Sequence, residues 1–228
     1  MFEALFGYEA KRKRLLRKAP DGPMKNYLSV PFPAPDTPVD RVPMLAVDFE
    51  TTGLNPARDQ ILSVGYITLE NNEIIVCSGQ HNIIRTRGQL TEENVVIHQI
   101  TDDTKSQGNA LHTVIEDLLR ALAGKVMLVH FAQVERSFLQ RACKQLYGIA
   151  PVMPIIDTLD LAKRRLDQRT APYSPNELRL FTLRSKHRLP RYQAHNALSD
   201  ALATAELFFV EAGLKNSKKP PQLRSLLL

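Results

Sequence analysis

An α/β fold, a mixed sheet with helices packed on it, is what the sequence predicts, on two observations. Apolar residues alternate with period two through residues 44–78. Beyond residue 110 they recur at helical spacing, with a short apolar run between the helical stretches. With 228 residues and 43% hydrophobic content, the chain can bury one substantial core and is too short for two ordinary catalytic domains.

The elements follow in chain order. Phe2, Leu5, Phe6, Leu15 and Leu16 lie at near-helical spacing around the basic run KRKR, which predicts a basic amphipathic helix. Residues 20–43 carry seven prolines and read as a linker or a strap over the domain. Residues 1–43 are therefore expected as an N-terminal appendage, 44–212 as the folded domain, and 213–228 as a basic, flexible tail. In residues 44–50, MLAVDFE, Leu45, Val47 and Phe49 alternate with Ala46, Asp48 and Glu50, so a strand puts both carboxylates on one face. Residues 61–69 and 73–78 read as strands turning at Asn71 and Asn72. Leu111, Val114, Ile115, Leu118, Leu119 and Leu122 form one helical stripe, which Gly124 can end. A short strand, VMLVH, follows. Further helices are predicted near 134–147, 157–168, 176–187 and 196–212, the last with Asn196 as N-cap and Leu198, Leu202, Ala205 and Phe209 toward the core.

Charge and cysteine content narrow the function. Basic residues outnumber acidic ones six to two in residues 1–20, nine to two in 161–195 and four to one in 211–228, around a net acidic remainder. A basic periphery around an acidic remainder suits a polyanion held against a carboxylate site loaded with cations; the alternative is that these Lys and Arg are solvated surface residues. Only two cysteines, Cys77 and Cys143, are present, and they match no metal-ligand spacing. No apolar run has the length of a membrane span and no apolar signal core opens the chain, so a cytoplasmic protein without a membrane partner is expected.

Three segments carry chemistry. Asp48 and Glu50, two apart on a strand, repel each other and are costly to desolvate, which a divalent cation between them would relieve. Thr51, Thr52 and Gly53 form a tight turn in which Gly53 would let a ligand approach the backbone. In HFAQVERSFL, Glu135 opens a helix just beyond a strand's carboxyl end, where α/β proteins place their sites. Taken alone, Glu135 also fits a first-turn acid favoured by the helix dipole, and His130 a strand-end histidine bonded to backbone. In HNALSDALATAEL, His195 precedes a helix and Asp200 lies within its first two turns, so both can face one point.

From about Met44 to Val210 the chain resembles the DnaQ-like DEDDh exonuclease family, which includes the proofreading subunit of bacterial replicative polymerase. DFETTG resembles its first motif and HNALSDA its third, while IIDTLDLAKR around Asp157 resembles the segment between the second and third. The resemblance implies a ribonuclease H-like fold and a metal-dependent 3′→5′ exonuclease that releases 5′-mononucleotides. It implies that Asp48, Glu50, Glu135 and Asp200 hold two Mg²⁺ ions, or Mn²⁺ in their place, about 3.5–4 Å apart, with His195 as general base. Thr51, Thr52, Gly53 and Leu54 would receive the terminal nucleotide, Leu54 as an apolar wedge. Glu93, Ile97 and His98, in a stretch ahead of the second motif, are expected to contact it as well. The substrate implied is a nucleic acid with a free 3′ end, single-stranded DNA before RNA. Two positions depart from the pattern: Glu135 stands where the family has Asp, and Phe131 where Asn is common. The longer acid leaves reduced activity or an altered metal preference open. An RNA-directed exonuclease, a generic phosphodiesterase for small nucleotides, and a nucleic-acid-binding or polymerase-accessory module weakened at Glu135 are the alternatives. In the tail, QLRSLL loosely resembles the short peptides that dock replication proteins on a sliding clamp; the competing expectation is that Leu226 to Leu228 fold back on the domain.

Overall fold

Strand β1 (Met44–Thr51) is the middle of a five-stranded sheet with β2 (Ile61–Glu70), β3 (Glu73–Ile83), β4 (Val126–Val129) and β5 (Ile155–Asp157), in the order β3-β2-β1-β4-β5. A computed structural model describes residues 3–86, 105–169, 171–213 and 219–228. The first three strands form the expected antiparallel meander, while β4 and β5 run parallel to β1. Asn71 and Asn72, with φ of 51° and 63°, turn the β2–β3 hairpin, since both residues of such a turn need the left-handed region. Strand β3 runs on to Ile83, past the expected end at 78, after a register irregularity opposite Tyr66 and Thr68.

The pleat of β1 divides the core. Leu45, Val47 and Phe49 face a layer made by α2 (Pro23–Ser29), α3 (Leu111–Leu122) and α4 (Gln133–Tyr147). Met44 and Ala46 face α7 (Ala197–Glu211) through Ala201, Ala205 and Phe208. Asp48 and Glu50 continue this second parity, so the strand turns both carboxylates to the side where α7 lies. Helices α5 (Thr158–Asp167) and α6 (Leu180–Lys186) cover the outer side of α7, where Ala162 and Leu183 meet Ala203 and Leu207. With partners on both sides, α7 buries small residues all round, and the expected stripe of Leu198, Leu202 and Phe209 is only partly buried. Gly65 shows how close the layers come: a Cβ on it would lie 2.1 Å from the Ala197 carbonyl carbon.

Both chain ends correct the expected boundaries. Helix α1 (Glu3–Leu16) matches the predicted basic helix, and the proline-rich stretch after it is the strap of the two forms expected, with a helix within it. Pro23 starts α2, a place where its missing N–H costs nothing, and Met24, Tyr27 and Leu28 are fully buried, with the Tyr27 hydroxyl donating to the Val152 carbonyl at 2.9 Å. Residues 219–228 are not a free tail. Leu223, Leu226 and Leu227 are buried, Leu223 N–H donates to Thr37 O at 2.9 Å, and Leu228 N–H to Ile155 O at 3.1 Å, which lays the chain end along β5. Leu226 to Leu228 thus fold back on the domain, as the expectation competing with clamp docking had it. Among the described residues no helix is long and apolar enough to cross a membrane.

Candidate metal centre and catalytic cleft

Three stretches of chain meet at the carboxyl end of β1. A register shift between Glu50 and Thr51 ends its regular pairing with β2. The loop that follows is closed by its own hydrogen bonds: Thr51 Oγ1 donates to Gly53 O at 2.7 Å, and Thr52 N–H donates to Gln60 O at 3.0 Å. Gly53 also has a part in closing this loop. A Cβ on it would meet the Asp59 carboxylate at 2.6 Å, so its bareness serves loop closure, in which Asp59 also accepts the Asn55 N–H at 2.8 Å.

Glu135 is set in place by a carboxylate the sequence reading left without a role. Asp157, at the end of β5, accepts the N–H groups of Phe131 and Ala132, and also that of Leu159 at the start of α5, each at 2.9 Å. One side chain thereby ties the β4–α4 turn to the neighbouring β5–α5 turn and aims the first turn of α4, which carries Glu135, at β1. The signal was an acid closing the apolar run MPIID just before a helix, the N-cap pattern. His130 stays outside the chemistry. Its Nε2 lies 3.0 Å from the Leu178 carbonyl, which only accepts, so Nε2 carries the proton and Nδ1 takes the Thr158 hydroxyl at 2.8 Å. Burial lowers its pKa to about 4, which keeps it neutral.

The third element is the start of α7. Asn196 caps it by accepting the Ser199 N–H at 3.1 Å, and His195 takes a left-handed backbone, φ 66°, just before the cap. That bend points the His195 N–H at Asp200 Oδ2, 3.0 Å away, while its imidazole stays in the exposed mouth of the cleft. Contact of Gly65 with the backbone of Ala197 and Leu198 fixes how near this helix start sits to the sheet, a glycine role that the strand pattern alone did not announce.

Asp48, Glu50, Thr51, Thr52, Gly53, Leu54, Glu135, His195 and Asp200 all line one cleft of about 460 Å³. Glu50, His195 and Asp200 each offer a ligand atom within 4.8 Å of the others, a spacing one ion can bridge. Asp48, half-buried, and Glu135, buried, adjoin that group. Burial raises the Asp48 carboxyl well above its ordinary range, and the charges of Glu135, Glu50 and Asp200 raise it further. Burial likewise raises Glu135 to about 8, against backbone hydrogen bonds that lower it, and Asp200 to about 7 despite the His195 N–H. Glu135 Oε2 and Asp200 Oδ1 are buried without a protein hydrogen-bond partner. Crowded acids with orphaned oxygens fit oxygen-loving divalent cations, which would replace repulsion by shared coordination. Glu93, Ile97 and His98 lie outside the described residues.

The family model described as Exonuclease matches residues 45–208. A DNA polymerase III PolC-type from Thermotoga petrophila is 30% identical over 178 residues, 77% of this chain and 12% of that protein. A 3′-5′ exonuclease DinG from Staphylococcus saprophyticus is 26% identical over 164 residues, 72% of this chain and 17% of its own length. The chain thus spans under a fifth of these two relatives. Among solved structures, the nuclease domain of 3′hExo, a DEDDh family member bound to rAMP, aligns with a TM-score of 0.64 at 14% identity over 80% of this chain and 96% of that one, a likeness of fold.

Proposed function

The chain belongs to the exonuclease family, and on that premise we propose that it hydrolyses phosphodiester bonds one at a time from the 3′ end of a nucleic acid, releasing 5′-mononucleotides. The observation that carries this reading is the convergence of Asp48, Glu50, Glu135, Asp200 and His195 on one cleft, with two buried carboxylate oxygens left without protein partners. Asp48, Glu50, Glu135 and Asp200 would hold two Mg²⁺ ions, with Mn²⁺ as substitute. Bound divalent cations supply Lewis-acid stabilisation of phosphoryl charge and a water of lowered pKa.

The remaining work falls to the chain itself. His195 has its backbone pinned to Asp200 and its ring in the open mouth, so a neutral imidazole there accepts the proton of the attacking water. Asp200 would serve twice, its unpartnered Oδ1 leaving it able to hold a cation while Oδ2 accepts the His195 backbone N–H. The closed loop of Thr51 to Leu54 gives the terminal nucleotide a rigid wall, and Leu54, 72% exposed, an apolar wedge. The longer Glu135 keeps the charge of the second-motif acid at a buried position, where a Gln would lose it. DNA is the favoured substrate because the PolC-type relative is a DNA polymerase, and a polymerase is the corresponding partner.

A ladder assay on 5′-labelled DNA and RNA oligonucleotides of one sequence, with Mg²⁺, Mn²⁺ or chelator, tests the proposal. Stepwise shortening from the 3′ end that needs a divalent cation is expected, faster on DNA. An oligonucleotide that is retarded in a gel and stays uncut under all conditions would replace the enzyme by a binding module.

A further inference from the structure

Phe131 has a backbone conformation that its own side chain opposes. Its φ is 80°, in the left-handed region where a bulky residue is an outlier and glycine or asparagine is at ease. The turn is held in that shape from outside, by Asp157 accepting the N–H groups of Phe131 and Ala132. Strain of this kind persists where surrounding structure enforces it, and it clusters at functional sites. The ring gains little from burial in return: Phe131 is 40% exposed and lines the acidic cleft. Together with Leu54 it is one of the two large exposed apolar side chains of that wall. An aromatic face standing in a site for a polyanion suits the one apolar surface every nucleotide offers, the π-face of its base.

We propose that Phe131 is a base-stacking residue that holds a nucleobase at the substrate's 3′ end beside the carboxylates, and so selects unpaired ends. This deepens the exonuclease reading and rests on it. Stacking on a ring is tolerant of base identity, so the 3′ base is gripped whatever it is. A base still paired in a duplex has to be freed before Phe131 can take its face, and that cost falls on paired ends and spares frayed or single-stranded ones.

The test uses the full chain, wild type and Phe131→Ala, on single-stranded DNA oligonucleotides with either ordinary or abasic residues at the last two 3′ positions. With Mg²⁺, Phe131→Ala is expected to lower kcat/KM on ordinary ends by about 5- to 150-fold, carried by KM, the worth of one lost base stack. Phe131→Tyr and Phe131→Trp restore it, and on abasic ends wild type and Phe131→Ala are equal. The same comparison by fluorescence anisotropy with Ca²⁺ in place of Mg²⁺ reads affinity without cleavage, so absence of turnover in the wild type would count against the exonuclease reading and leave stacking measurable. An equal loss on ordinary and abasic ends, or unchanged KM and affinity in Phe131→Ala, would overturn the proposal.

Discussion

Gly65→Ala should disable the cleft without touching any group in it. The added Cβ would sit 2.1 Å from the Ala197 carbonyl carbon and 2.2 Å from the Leu198 nitrogen, both backbone atoms that no rotamer change can move. Carbon atoms in contact prefer about 3.5 Å, so the start of α7 must retreat by roughly 1.4 Å. His195 lies two residues before Ala197 and Asp200 three after it, and both travel with the helix end. Overpacking of this kind costs about 1–3 kcal/mol, which for a chain of this size lowers Tm by roughly 2–12 °C. A displacement near 1 Å at a catalytic group costs on the order of 10²-fold in rate. The assay pairs a thermal melt with Mg²⁺-dependent turnover of a single-stranded oligonucleotide. Gly79→Ala is the control, since its Cβ would meet the flexible Leu198 side chain at 3.4 Å and a carbonyl oxygen at 3.3 Å, contacts that a small shift absorbs. Wild-type turnover in a folded Gly65→Ala protein would refute the claim that α7's seating on the sheet sets the site.

Other perturbations separate the roles of the acids, the base and the chain end. His195→Ala should lower turnover by roughly 10²–10⁴, with divalent-cation affinity by calorimetry largely kept; a collapse of affinity would make His195 a ligand instead of a base. Glu135→Asp should keep or raise Mg²⁺-dependent turnover and Glu135→Gln should impair it strongly, whereas equal activity of Gln and Glu would reduce Glu135 to a helix-start acid. Because burial raises Asp200 from 3.8 to about 7 and Glu135 from 4.5 to about 8, the native state holds these protons longer than the unfolded chain. Their contribution to stability is full below about pH 4 and lost as pH rises toward 8, so in chelator Tm should fall across that window; Mg²⁺ at pH 8 should restore it and Asp200→Asn should flatten it. Deleting residues 219–228 uncovers the sites of three buried leucines, worth about 1.5–3 kcal/mol each as an upper range, and should lower Tm by about 10 °C or more. An unchanged melt would mean the chain end adds nothing to the core.

What the sequence disclosed depended on periodicity. Strand β1 alternates cleanly, so the shared face of Asp48 and Glu50 could be read directly, and the Asn196 cap located both His195 and Asp200. Strand β5 spans only three residues, too few for a pattern, so Asp157 was legible as an N-cap while its contacts to Phe131 and Ala132, 26 and 25 residues away, were not. Helix α2 was hidden because seven prolines suggested extended chain, although Pro23 occupies the one helical turn that tolerates proline. The stripe on α7 was misplaced for a related reason. Helical periodicity assumes one buried side, and Ala203 and Leu207 are buried against α5 and α6 while Ala201 and Ala205 are buried toward the sheet. Gly65 gave no local cue, because its neighbour is 132 residues away in sequence.

These gaps share a cause that bears on how the site works. Its acids come from three layers: Asp48 and Glu50 from the sheet, Glu135 from α4 on one face, Asp200 from α7 on the other. Ligand spacing is therefore a spacing between layers, and whatever sets layer separation sets the site. Gly65 does so on the α7 face, and Asp157 does so for the turn that carries Glu135. The chain ends act on the same separation from farther away. Met24, Tyr27 and Leu28 fill the core on the α4 face, while Leu223, Leu226 and Leu227 fill it on the α7 face. Carboxylates that repel one another push these layers apart, and the packed segments resist that push, which the cations proposed to bind there would replace with attraction. Residues 23–43 and 219–228 thus belong to the catalytic domain in the mechanical sense, although none of them lines the cleft.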